Sequence, residues 1–109
     1  MLDDVMTAKG YNGTVTFDGR AITISRTGLG RLASGASDKM IPLRSVTAVQ
    51  LKPAGMLKNG YIAFTIPGGQ EVGGGTYQAA KDENAVIFTK QQATDFDALR
   101  AAVNEALLA

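Results

Sequence analysis

The side chains that could do chemistry in this sequence are few, because it contains no histidine and no cysteine. Histidine is the commonest general base and metal ligand, and cysteine supplies thiolate nucleophiles and disulfides. Without them the chain cannot build a Ser-His-Asp triad, a cysteine nucleophile, a thiolate zinc site or a histidine-ligated haem. We therefore predict a protein that is not an enzyme and that holds no metal and no other cofactor.

Carboxylates are the remaining acid–base candidates, and the adjacent residues Asp82 and Glu83 are the most prominent pair. Neighbouring side chains on a strand point apart, and an adjacent acidic pair is typical of a solvated turn. Asp3 and Asp4 belong to the terminal segment. No pair is placed convincingly for catalysis by two carboxylates. We predict that these groups are surface charges.

The glycine-rich stretch 27–37 raises the question of a phosphate-binding loop. Gly28-Leu29-Gly30 looks like the start of a nucleotide-binding fingerprint, but the next glycine, Gly35, has the wrong spacing and no helix follows. A P-loop is excluded as well, because no Lys-Ser or Lys-Thr pair follows Gly35. Its glycines and small hydroxyl residues predict a loop that connects two strands.

Basic residues are concentrated in one segment of the sequence. Residues 19–60 contain seven basic side chains against one acid, Asp38, which gives a local net charge of +6 in a chain whose net charge is +1. Such a segment is suited to an acidic protein, an anionic membrane or nucleic acid, unless its charges scatter around the fold. If a binding face exists, we expect it at Arg26, Arg31, Lys39 and Arg44.

The elements that must position these residues are short strands followed by one helix. Alternating runs predict strands at Gly13–Phe17, Arg20–Arg26, Lys39–Leu43, Val46–Lys52, Tyr61–Ile66, Gln70–Val72 and Ala85–Thr89. Pro42 predicts that its strand is an edge strand or ends at the proline, and the almost wholly apolar Ala85–Thr89 run predicts a central strand. Residues 1–12 are expected to form an N-terminal arm, loose or briefly helical, before a single domain over residues 13–109.

The first two runs flank Asp18-Gly19, a two-residue link that favours a type I′ hairpin turn. This turn sets Phe17 opposite Arg20 and Val15 opposite Ile22. The alternation predicts a core face and a face in water. The core face holds Val15, Phe17, Ile22 and Ile24, and the other face holds Thr14, Thr16, Thr23 and Ser25.

The last element is an amphipathic helix over about Gln91 to Leu108. Its apolar side chains recur at helical spacing at Phe96, Leu99, Val103 and Leu107. Thr89 is the expected N-cap, with Gln92 completing a capping box. We predict that the apolar face packs inside the protein, over one opening of a barrel, and is not presented to a partner.

Several segments carry turn and core signatures of a known group: Gly13–Gly19, Ile22–Ile24, Lys39–Leu43, Val46–Gln50, Asn59–Ile62, Asp82–Phe88 and Phe96–Arg100. They resemble the bacterial pleckstrin-homology-like domains, most of all an uncharacterised group common in actinobacteria and their phages. The resemblance covers roughly residues 10–108 and implies a bent, seven-stranded antiparallel barrel capped by the C-terminal helix. Eukaryotic relatives often bind phosphoinositides beside a long first hairpin loop. We expect that loop here at Asp18-Gly19, short and acidic, so the lipid function is not carried over.

These observations predict a mainly β protein with one C-terminal helix and a function in binding. The acidic opening of the chain lacks the pattern of a signal peptide, and no apolar run is long enough to span a bilayer. We expect a non-catalytic, cytoplasmic interaction module that binds protein, including a second copy of itself. The alternative is a module that binds acidic ligands, an anionic membrane surface or nucleic acid through the basic segment 19–60.

Overall fold

The computed structural model describes residues 5–26, 38–67 and 82–109, and the strands in these residues form two antiparallel sheets. The four-stranded sheet contains β1 (Met6–Lys9), β2 (Gly13–Phe17), β3 (Ala21–Arg26) and β4 (Lys39–Pro42), in that order. The three-stranded sheet contains β5 (Ala48–Lys52), β6 (Gly60–Thr65) and β7 (Ala85–Phe88). Short 3₁₀ helices lie at Leu43–Ser45 and Lys90–Gln92, and helix α1 spans Ala93–Leu108.

The predicted class, mainly β with one C-terminal helix, is confirmed, but the described strands do not close into a single barrel. Six predicted strands are present, with ends that differ by at most two residues. Among the described strands, β4 lies at the edge of its sheet, and it ends at Pro42. The predicted strand at Gln70–Val72 and the predicted loop 27–37 lie outside the described residues.

The structure corrects the prediction for the N-terminal segment. A loose or helical arm is wrong for Met6–Lys9, which form β1 and pair antiparallel with β2. Ala8 lies opposite Val15, and both residues are fully buried, whereas Thr7 and Lys9 are exposed. This alternation of small apolar and polar side chains fits a half-buried edge strand.

The pairing of β2 with β3 differs from the predicted register by two residues. Phe17 lies opposite Ile22 and Val15 lies opposite Ile24. Because side chains alternate with a period of two, a shift of two residues leaves each of them on its predicted face. The four predicted core residues are therefore buried, although the predicted pairs are wrong.

The Asp18 side chain explains the longer turn. Its Oδ1 accepts hydrogen bonds from the backbone N–H groups of Arg20 at 2.8 Å and Ala21 at 2.9 Å. Gly19 has a φ of 94°, and no other described residue has a positive φ. A type I′ turn needs two such residues, so the carboxylate stabilises a three-residue link, Asp18-Gly19-Arg20, in its place.

The two sheets meet where the loop between β1 and β2 crosses β7. Tyr11 N–H donates to Ile87 O at 2.7 Å, and Asn12 Oδ1 accepts from Ile87 N–H at 2.9 Å. A Cβ on Gly10 would lie 2.6 Å from Ile87 O, so this close approach requires glycine. This loop is the first hairpin loop of the fold, and the Asp18 loop, expected to be the first, is the second.

Strand β7 is buried along its whole length, but it lies at one end of the described three-stranded order. The predicted central position is therefore wrong for the described strands. The apolar sequence has a different cause, because both faces of β7 are covered. Val86 and Phe88 belong to the main core, and Ala85 and Ile87 join Tyr61 and Ala63 in a second buried cluster.

Helix α1 covers the main core with the predicted apolar face. Phe96, Leu99 and Val103 are fully buried, and the ring of Phe96 stacks on Phe88 with centroids 4.6 Å apart. The predicted capping box at the preceding 3₁₀ turn is confirmed, with Gln92 Oε1 accepting from Thr89 N–H at 2.9 Å. None of the described helices combines the length and apolar composition that a membrane span requires.

Candidate functional site

Arg26, the first expected binding residue, lies inside the protein at the end of β3. It is 5 % exposed, and its Nη2 donates to the backbone oxygen of Asp82 at 3.1 Å. Its Nη1 has no hydrogen-bond partner among the described residues. Burial lowers the pKa of Arg26, while the charges of Asp82 and Glu83 oppose that shift. A side chain held in this way cannot meet a partner at the surface.

Lys39, the second expected residue, is engaged by an acid of the same protein. Its Nζ forms an ion pair with the Glu83 carboxylate. The hydrogen bond and the charge of Lys39 lower the pKa of Glu83. Arg26 and Lys39 therefore face Asp82 and Glu83, and the four charges balance one another.

Asp82 and Glu83 occupy the predicted turn. Asp82 Oδ1 accepts a hydrogen bond from Asn84 N–H at 2.8 Å, and the Asp82 carbonyl oxygen accepts one from Ala85 N–H at 3.1 Å. In the part of the chain that the structure describes, no three acidic side chains are grouped to hold a metal ion. The two carboxylates thus order the approach to β7 and neutralise the two nearest basic groups.

Of the remaining two expected residues, the structure describes Arg44, which does not extend this cluster. Arg44 is exposed in the 3₁₀ helix that follows β4, so the length of that strand separates it from Lys39. Arg31 lies outside the described residues. The three described residues, Arg26, Lys39 and Arg44, do not converge on one cationic face.

A different surface is continuous on the outer side of the four-stranded sheet. Strand pairing aligns its side chains in two rows. We call this surface the threonine face, and its two rows are Thr7, Thr16, Thr23 and Met40, then Lys9, Thr14 and Ser25. Lys9 is the one charged residue in these two rows, and the exposed Asp38 directly precedes β4 at the Ser25 end of the second row. Met40 is 67 % exposed.

The threonine face carries little charge. Natural sheets commonly use charged side chains, above all lysine, to avoid pairing at their edges. Here the charge stands at the end of one row, and the centre carries hydroxyl groups that can both donate and accept hydrogen bonds. Such a face is chemically suited to lie against a second flat protein surface.

The sequence predicts four of the seven residues of this surface. The four residues predicted on the face opposite the core are its central members, and they are half-buried by their neighbours. Thr7 and Lys9 are not among the predicted residues, because an arm is predicted in place of β1. The strand that contains Met40 is predicted, but that residue is not assigned to a face. The alternation of Met6-Thr7-Ala8-Lys9 is the signal that would have identified the first two.

Comparison with known proteins gives a family for the chain but no activity. The family model described as "Domain of unknown function (DUF4429)" matches residues 15–104, from β2 to the last turns of α1. The chain belongs to this family. No curated protein and no solved structure gave a match. The description of the DUF4429 family states no function, so a functional argument rests on the geometry of the surfaces.

Proposed function

We propose that this DUF4429 domain is a non-catalytic interaction module of the cytoplasm that binds protein, and that a second copy of the chain docks on its threonine face. The observation that carries the proposal is a seven-residue sheet surface with one charged side chain. The predicted basic site gives less support, because Arg26 is buried and Lys39 is paired with Glu83.

Symmetry explains why an uncharged face suits self-association. In a two-fold dimer the same surface meets itself, so a charge near the axis faces an identical charge. Like charges opposed in this way repel, and their desolvation is costly. Threonine hydroxyls avoid both costs, because each can donate to one partner and accept from another.

We also propose that the two sheets are the two parts of a pleckstrin-homology-like barrel. Three features support this assignment: four strands followed by three, a C-terminal helix over the core, and the contact of the Gly10–Asn12 loop with β7. The fold itself does not select a function, since one scaffold can carry many sites.

The dimer is tested with two matched lysine substitutions. Thr16→Lys puts a charge in the middle of the threonine face, and Thr94→Lys puts the same charge on an exposed threonine of α1. We expect the wild type and Thr94→Lys to sediment as dimers at high micromolar concentration and Thr16→Lys to sediment as a monomer. At a low concentration, where the wild type is a monomer, circular dichroism should give similar melting curves for all three proteins.

Two results would contradict the proposal. A wild type that stays strictly monomeric removes the second copy as the partner. A dimer that survives in Thr16→Lys shows that association uses another surface.

A further inference from the structure

The loop between β5 and β6 exposes two adjacent large apolar side chains. We call residues 53–59 the hairpin tip. Met56 is 86 % exposed and Leu57 is 97 % exposed, more than the other large apolar side chains that are exposed in the described residues apart from Leu108. Single apolar residues on a surface are ordinary, whereas contiguous exposed apolar residues rimmed by polar groups are a feature of interaction sites.

The tip is an ordered turn. Gly55 N–H donates to the carbonyl oxygen of Lys58 at 2.9 Å, which closes the loop. At its base, a Cβ on Gly60 would lie 2.7 Å from Ala54 N, so the chain folds back on itself too closely for a larger residue. The turn therefore holds Met56 and Leu57 at the surface, where both line an open cavity beside the start of the helical segment.

Three lysines lie near the apolar pair, two close to it in the sequence and one across a cavity. Lys52 ends β5, Lys58 follows Leu57, and Lys90 stands across a shallow open cavity of about 540 Å³ between the tip and the start of the helical segment. The cavity lining contains no acid, and residues 39–67 contain none either. These three lysines make no ion pair with a described residue.

We infer that the hairpin tip docks on an anionic membrane surface, with Met56 and Leu57 entering the interfacial layer and the lysines contacting lipid headgroups. Apolar side chains gain from leaving water at the boundary of the bilayer, and clustered lysines are attracted to negatively charged lipid. Lysine stems can lie along the apolar layer while their ammonium groups reach the headgroups.

Charge and shape favour a membrane over the other acidic partners. Bases bound without sequence preference stack on aromatic rings, and the tip has none. An acidic protein would need a surface shaped to fit the tip, whereas a fluid bilayer adapts to it. The inference goes beyond the proposed dimer, because the tip belongs to the three-stranded sheet and the threonine face to the four-stranded one.

Vesicle sedimentation tests the inference with the full chain, which has no tryptophan to serve as a fluorescent reporter. One set of vesicles is pure phosphatidylcholine, and the other contains equal parts of phosphatidylcholine and phosphatidylserine. We expect the wild type to sediment with the anionic vesicles and to remain in solution with the neutral ones. Added salt should release the bound protein, because it screens the lysine contacts.

Matched substitutions separate the tip from general hydrophobicity. Leu57→Ser should weaken binding to anionic vesicles by about tenfold, while Leu108→Ser, which alters another highly exposed leucine, should leave it unchanged. Lys58→Gln should weaken binding and its salt dependence together. Failure of the wild type to bind anionic vesicles overturns the inference, as does equal loss in both leucine variants. Binding to an acidic peptide without binding to vesicles would identify a protein as the partner of the tip and reject the membrane.

Discussion

Removing the Phe96 ring tests how the helix is held on the sheets. The side chain is fully buried on the predicted core face of α1 and stacks on Phe88, with ring centroids 4.6 Å apart and planes 16° from parallel. Phe96→Ala removes the ring contact and leaves a cavity between α1 and the three-stranded sheet. Substitutions of this kind cost about 3–5 kcal/mol, as a sum of lost transfer free energy and the cavity left behind.

The loss is large against the whole stability of a small domain. Domains of this size unfold with roughly 5–15 kcal/mol, so Phe96→Ala should remove a substantial fraction of it. Each kcal/mol lowers the melting temperature by about 4–8 °C in a domain of roughly 100 residues, so we expect a fall of at least ~12 °C. Urea unfolding followed by circular dichroism measures the free energy directly.

Leu108→Ala is the matched control, because Leu108 lies on the same helix and is 87 % exposed. Its free energy of unfolding should stay within about 0.5 kcal/mol of the wild type. If Phe96→Ala costs less than about 1 kcal/mol, the helix is not packed on the sheets as described, and the assignment of the core is wrong.

Two further predictions concern polar groups that the fold uses. Arg26→Met should change the free energy of unfolding by less than about 1 kcal/mol, because a buried guanidinium recovers little of its desolvation cost when one nitrogen has no hydrogen-bond partner among the described residues. A loss above about 3 kcal/mol in urea unfolding would instead show a strong charge interaction with Asp82 and Glu83. Asp18→Ala should lower stability at neutral pH, because the pKa of Asp18 is lowered by hydrogen bonds from the N–H groups of Arg20 and Ala21. A lowered pKa means that the contribution is present above the ordinary value of 3.8 and is lost as pH falls through the folded value. The stability difference between wild type and variant should therefore shrink in acid, and a constant difference from pH 7 to strong acid would refute the role of the carboxylate.

Local alternation was sufficient to predict six strands, the helix and most of the core. Strands β2 and β3 alternate apolar residues with threonine and serine, and most of these residues are strong β formers. The helix repeats its apolar residues at helical spacing. Both signals are local, so they do not depend on knowing which elements pack together. Strand β1 is not among the predicted strands because its inward residues are a methionine and an alanine, which give a weaker apolar signal than the inward residues of β2 and β3.

Register and sheet membership depend on contacts that a local pattern does not contain. The Asp18 carboxylate lengthens a turn whose two residues favour a tighter one. The position of β7 depends on a loop 75 residues earlier, which reaches it through Asn12. The Asn12 contact has no signature in the residues around it, whereas the Asp18 turn is a local hydrogen-bonding pattern that the Asp-Gly rule for two-residue hairpin links does not consider.

The expected binding residues show the same limit. Arg26 continues the inward alternation of Ile22 and Ile24, so the spacing of two residues along β3 is sufficient to predict its burial. The ion pair of Lys39 with Glu83 joins residues 44 positions apart, and a local sequence pattern cannot predict it. Charge counted along a sequence therefore overstated the charge available on the surface.

Light scattering of the wild-type chain tests the proposed function most directly, since it asks whether the threonine face has a second copy as its partner. The protomer has a mass of 11.4 kDa. At high micromolar concentration, the account predicts a weight-average mass approaching twice that value, with a decline toward the protomer mass on dilution. A mass that stays at 11.4 kDa at every concentration would contradict it.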